Sequence, residues 1–156
     1  MIKYTLISIF LLFVINSNAC VCSDFEILPK VSEEHLDQSK FQLFTGKVLS
    51  IETSTMPLYS DTVGISEYQK EQTRTFKLIT ISVMESYGNE VQNDTIQIAT
   101  GMGAPDCGVT FFKKNKKYLF TVGTKDESQK YFWTSICVPN RELKKAQNEI
   151  EFIEQN

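Results

Sequence analysis

Histidine occurs once in the 156 residues, and tryptophan once. A lone His35, with no HExxH and no Cys/His cluster around it, leaves the chain no credible zinc site of its own. Its setting, the acidic stretch Ser32 to Gln38, predicts an exposed surface side chain. Glycine is sparse, at seven residues. The Gly-x-Gly of Gly101-Met102-Gly103 lacks the third glycine and the following helix that a phosphate cradle needs. No nucleophile elbow is present. Positive charge is in deficit: 16 Lys and Arg face 19 Asp and Glu, for a net −3. That balance suits neither nucleic acid nor heparin. The dense basic run, Lys113-Lys114-Asn115-Lys116-Lys117, reads as a solvated turn between strands. After the first nineteen residues no apolar run approaches the roughly 20 residues of a spanning helix, so no transmembrane segment is expected. These absences argue against an enzyme and against any resident cofactor.

What is present begins with a leader. Lys3 supplies a positive start, and Leu6 to Ile15 is apolar except for Ser8. Ser17-Asn18-Ala19 puts small residues at the −3 and −1 positions of a cleavage site. Residues 1–19 therefore read as a signal peptide cut before Cys20. The leader carries one Lys and no acid, so the mature chain is slightly more acidic than the whole. Cys20 to Asn156 is a natural size for one domain, expected to be a secreted, periplasmic or extracellular monomer. Lipidation of Cys20 is a rival reading. It would acylate the amine, consume one thiol and leave an odd number of cysteines, and Ser17 stands where a lipobox usually has Leu.

All four cysteines, Cys20, Cys22, Cys107 and Cys137, lie after the leader. An exported chain with an even count predicts two disulfides, with three possible pairings. A Cys20–Cys22 bridge would close almost nothing, so the useful pairings join each N-terminal cysteine to a distant one. Loops of about 90 to 115 residues closed in this way would each stabilise by ~4–5 kcal/mol in the chain-entropy picture. The closely spaced Cys20-Val21-Cys22 could serve as a redox dithiol. Such motifs usually open a helix in an α/β chain, and this chain is rich in strands.

Ser32 to Gln38 starts with a capping residue and acids, which predicts a short helix. Phe41 to Ile51 alternates as a half-buried strand, with Gly46 marking a bulge or bend. Thr53 to Gln72 has no clear period and reads as an extended loop or protruding hairpin. Thr75 to Val83 is β-branched and strand-like, Tyr87-Gly88-Asn89 a turn, and Asp94 to Thr100 a strand with Ile96 and Ile98 on one face. Gly101 to Cys107 is a loop. Lys117 to Gly123 and Tyr131 to Ile136 add two strands. Asn140 is placed to cap a final helix, Arg141 to about Glu154, whose Leu143, Ala146, Ile150 and Ile153 form one stripe. Asn93-Asp94-Thr95 matches a glycosylation acceptor. The sum predicts a mainly β fold: a five-stranded, OB-fold-like Greek-key barrel with a short N-terminal helix and a C-terminal helix packed on it.

A cut directly before Cys-x-Cys, a five-strand pattern and a downstream Cys107-Gly108 together resemble the N-terminal, netrin-like domain of the tissue inhibitors of metalloproteinases. Phe41 to Ser50 resembles that family's first long strand, and Thr75 to Gly88 its second. Thr95 to Gly108 resembles the strand and loop leading into its Cys-Gly. Lys117 to Gly123 resembles the strand ending in Gly, and Thr134 to Cys137 the strand carrying the second partner cysteine. The third bridge and the second, cysteine-rich domain of the animal inhibitors are missing, so the chain looks more like short, single-domain bacterial members.

The resemblance implies the pairs Cys20–Cys107 and Cys22–Cys137. It also implies a zinc metalloproteinase as partner, bound by a ridge of Cys20, Val21, Cys22 and Ser23 beside Gly103, Ala104, Pro105 and Asp106. Chemistry gives such a terminus a role. A free α-amine and the carbonyl of the same residue can chelate a metal in a five-membered ring. A catalytic zinc keeps one position open for water, and a terminus that enters the cleft displaces it. Cys20 would thus ligate the partner's zinc in trans, with Val21 aimed at an apolar specificity pocket. The competing expectation is a netrin-like module that binds other proteins and inhibits nothing.

Overall fold

The computed structural model describes residues 20, 22, 29–57, 72–88, 91, 93–125 and 130–156. The proposed leader, Val21, Ser23 and most of the Thr53–Gln72 segment lie outside the described residues.

Six strands form one mixed sheet: β1 (Phe41–Pro57), β2 (Thr73–Tyr87), β3 (Thr95–Thr100), β4 (Lys117–Gly123), β5 (Phe132–Trp133) and β6 (Arg141–Glu142). Their order across the sheet is β5-β3-β2-β1-β4-β6. The pair β3–β5 is parallel and all other neighbours are antiparallel. Alternation decides which side chains turn inward. Tyr118, Phe120 and Val122 of β4 join Phe44 and Val48 of β1, Ile79 and Ile81 of β2, and Ile96 and Ile98 of β3 in the main core. The intervening Leu43 and Leu119 face the other way, into a second cluster with Val31, Ala146 and Ile153. That second face is covered by α1 (Gln147–Gln155). No helix among the described residues is long and apolar enough to cross a membrane.

Gly46 does mark a bend: the β1–β2 register slips between Thr45 and Gly46, and again between Val48 and Ser50. A Cβ at Gly46 would lie 2.5 Å from Ile81 Cγ2 and 2.9 Å from the Ser82 carbonyl. Only glycine lets the two strands approach this closely as the sheet curls. β1 pairs with β4 only over Phe41–Lys47, whereas it pairs with β2 out to Pro57 opposite Thr73. The outer halves of β1 and β2 therefore extend the hairpin beyond the body of the sheet. Thr53 to Pro57, expected in an extended loop or protruding hairpin, belong to this strand, as the hairpin alternative has it.

Three expectations need correction. Among the described residues the sheet has six strands and does not close into a barrel. β5 is only two residues long, and where a ladder to β4 would continue, the Thr134 hydroxyl instead donates to the Thr121 carbonyl at 2.8 Å. The C-terminal helix is also shorter than predicted. Arg141 and Glu142 pair with Leu119 and Tyr118 as β6, Leu143–Lys145 form a 3-10 turn, and the α-helix starts at Gln147. Asn140 caps nothing and is fully buried. Third, His35 is buried rather than exposed. Its Nδ1 lies 3.3 Å from the Ser32 N–H and 2.9 Å from the Ser32 hydroxyl, and its ring sits 5.3 Å from that of Phe41. It closes the short 3-10 helix Glu33–Leu36 from the third position, where Glu or Gln is usual.

Candidate functional site

The chain's N-terminal cysteines are tied to the far end of the sequence. Cys20 is bonded to Cys107 with Cα atoms 5.1 Å apart, and Cys22 to Cys137 at 5.3 Å. No described cysteine is free. The bridges adjoin each other: Cys20 Sγ lies 3.8 Å from Cys137 Sγ. The sulfurs of Cys20, Cys107 and Cys137 fall within 4.8 Å of one another. All three are spent in disulfides, so they offer no thiolate to a metal.

Both anchors are themselves fixed. The Ile136 N–H donates to the Cys107 carbonyl at 3.0 Å, which joins the segment carrying Cys137 to the loop carrying Cys107. Cys107 has φ 57, a left-handed backbone that a residue with a side chain holds only when its surroundings impose it. The neighbouring Gly108 cannot be larger, because an added Cβ would run into the Gly101 backbone. Behind this loop Asn140 ties three segments together. Its Oδ1 accepts from the Thr121 N–H at 3.2 Å. Its Nδ2 donates to Thr134 Oγ1 (2.8 Å) and to the carbonyls of Ser135 (3.3 Å) and Val138 (3.2 Å). The residues flanking Cys137 are thereby fastened to β4.

The loop before Cys107 is a built turn. The Asp106 carboxylate accepts the Met102 N–H at 2.6 Å and the Gly103 N–H at 2.7 Å. The Gly103 carbonyl accepts from the Asp106 and Gly108 N–H groups at 3.2 and 2.8 Å. Partial burial pushes the Asp106 carboxyl up, but the surrounding backbone N–H groups, those of Gly103 and Met102 foremost, more than offset this and hold it below its ordinary value. Ala104–Asp106 make one 3-10 turn, and Met102, Pro105 and Asp106 are exposed.

The proposed ridge residues thus divide. The Cys20–Cys107 bridge ties Cys20 to the residue that follows Gly103, Ala104, Pro105 and Asp106, and Cys22 is held at Cys137. Val21 and Ser23 lie outside the described residues. A neighbouring cavity of about 450 Å³, absent from the sequence expectations, is lined in part by Arg74, Asp106, Trp133, Thr134 and Ser135. The Arg74 guanidinium stacks 4.4 Å above the Trp133 ring. A lone tryptophan shortly before a cysteine was the available signal for it.

A comparison with known protein families finds no match, and a comparison with curated proteins likewise finds none.

Proposed function

We propose that the protein is a secreted inhibitor of a zinc metalloproteinase, acting through the amine and carbonyl of Cys20. The reading takes the curled sheet as an OB-fold-like, netrin-type scaffold, and it takes Cys20 as the first residue after removal of the leader. Two disulfides also suit an oxidising, non-cytoplasmic location.

The observation that carries the proposal is the double clamp. Cys20 and Cys22 are each bridged to segments that are hydrogen-bonded to each other. A terminus held in this way has already lost its conformational freedom before it meets a partner, so little ordering entropy remains to oppose binding. Its chemistry is that of a bidentate ligand. The neutral amine and the carbonyl oxygen occupy adjacent positions on the partner's zinc, the hydrolytic water is displaced, and no bond is cleaved. The turn Gly103–Asp106, which leads into the bridged Cys107, is read as the second part of the contact surface.

The test is a pair of proteins, one beginning at Cys20 and one with a single Ala placed before it. The added residue turns the amine into an amide and should abolish inhibition across a panel of zinc proteases while both disulfides still form. Equal inhibition by the two proteins would refute chelation. Inhibition by neither would leave a cross-linked β domain with another binding role.

A further inference from the structure

Net charge argues against a polyanion partner, and sequence alone shows Lys113 to Lys117 as an isolated basic turn in an acidic chain. The fold overrides that average by giving the turn a second set of lysines. β6 pairs Arg141 with Leu119 and Glu142 with Tyr118, which sets the 3-10 turn Leu143–Lys145 against the lysine turn. Between them lies a cleft of about 470 Å³, with Lys113, Lys116, Lys144 and Lys145 on its walls and Phe111 and Tyr118 among its lining. Lys114 and Lys117 stand next to it and are exposed, as are the four wall lysines.

The lysine-turn wall is hydrogen-bonded to the sheet. Asn115, at φ 66, donates its N–H to the Val48 carbonyl at 2.8 Å, and the Lys116 carbonyl accepts from the Val48 N–H at 3.0 Å. The Tyr118 hydroxyl accepts from the Lys113 N–H at 3.0 Å and donates to the Phe111 carbonyl at 3.2 Å. Glu142 is the acid in the lining, 4.0 Å from the Lys116 ammonium and 3.3 Å from that of Lys144. Among the described residues no carboxylate pairs with Lys113, Lys114, Lys117 or Lys145. Arg141 is engaged by Glu149 and by the Pro29 carbonyl, so the cleft presents point-charge ammonium groups rather than a guanidinium fork. Spaced point charges along an open cleft suit a polymer with repeating charges better than one bidentate phosphate.

We infer that this cleft binds an acidic polysaccharide, through the carboxylate or sulfate groups along its chain. Disulfide-bonded proteins occupy oxidising compartments, where such polymers are the prevalent extended polyanions. The site lies at the β6 end of the sheet and is independent of the inhibitor reading.

The experiment measures binding of the mature, oxidised protein to dextran sulfate, to alginate and to neutral dextran, with vesicles containing phosphatidylglycerol as a further arm. Dextran sulfate and alginate separate sulfate from carboxylate recognition. Binding to one or both, falling with salt and absent for neutral dextran, is expected. Lys113→Glu with Lys145→Glu should weaken it about tenfold or more. Lys40→Glu with Lys125→Glu, an equal charge change elsewhere on the surface, should change it less than about twofold. Glu142→Gln should tighten it. Equal losses from the two double variants would mean diffuse charge attraction and overturn the assignment. So would the absence of binding to both acidic polymers, or binding to the vesicles alone.

Discussion

Asp106 is a surface carboxylate with a structural task. It holds the turn before Cys107 by accepting two backbone N–H groups, and its folded-state pKa lies below the ordinary 3.8. A depressed pKa contributes stability that is present above the unfolded value and lost as pH falls through the folded one. Asp106→Asn should therefore lower stability at pH 7 by about 1 kcal/mol, a figure kept small because the group is exposed. The deficit should begin to shrink as pH falls below ~3.8, the unfolded value, and vanish only below the lower folded-state pKa, where the native carboxyl is neutral too. Urea unfolding of both proteins from pH 7 down to pH 3 checks this, and a pH-independent difference would assign the effect to packing. The sequence marked Asp106 by its position in a Gly- and Pro-containing loop, but it could not reveal which donors the carboxylate meets. His35 reads as exposed for a related reason. Its acidic neighbours are exposed, yet the ring itself turns back onto Ser32 and Phe41.

Among the elements, the long strands were readable because their side chains alternate. Ile96 and Ile98 on β3 share a face that the sequence assigns without any structure. The two-residue strands β5 and β6 were not readable, since two residues carry no period. Asn140 reads as a cap because it precedes an amphipathic stripe, and local signals of that kind cannot sense a partner such as Thr121, far away in sequence. Its true role makes a firm prediction. Asn140→Ala would leave the buried Thr121 N–H unpaired and release the segment around Cys137 from β4. A loss of about 2–3 kcal/mol is expected in denaturant unfolding with both disulfides intact. A change under about 0.5 kcal/mol would show that the disulfide alone holds that segment. The lysine cleft escaped the sequence reading for the same reason: its two walls come from different elements, brought together only by β6.

For the molecule as a whole, the inhibitor proposal has a pH signature. A terminal amine must lose its proton before it ligates a metal, and its unperturbed pKa is about 7.7–8.0. Inhibition should tighten about tenfold between pH 6 and pH 7 and level off above pH ~8, once corrected for the protease's own profile. A flat profile would argue against amine ligation. The cysteine spacing could not choose among the pairings, because it fixes loop lengths and not which thiols meet. The observed bridges, spanning 87 and 115 residues, carry a cost in biogenesis. A chain crossing into an oxidising compartment amino end first delivers Cys20 and Cys22 together, long before Cys107 and Cys137 arrive. An oxidase joining thiols in order of arrival would trap the neighbours, and recovery would need thiol–disulfide shuffling. Expression in a host without disulfide isomerase should therefore accumulate a Cys20–Cys22 species, detectable by peptide mapping. Undiminished native yield there would mean that the sheet assembles before oxidation begins. If the neighbours are trapped instead, a secreted form of this chain would depend on the host's reshuffling machinery as much as on its secretion channel.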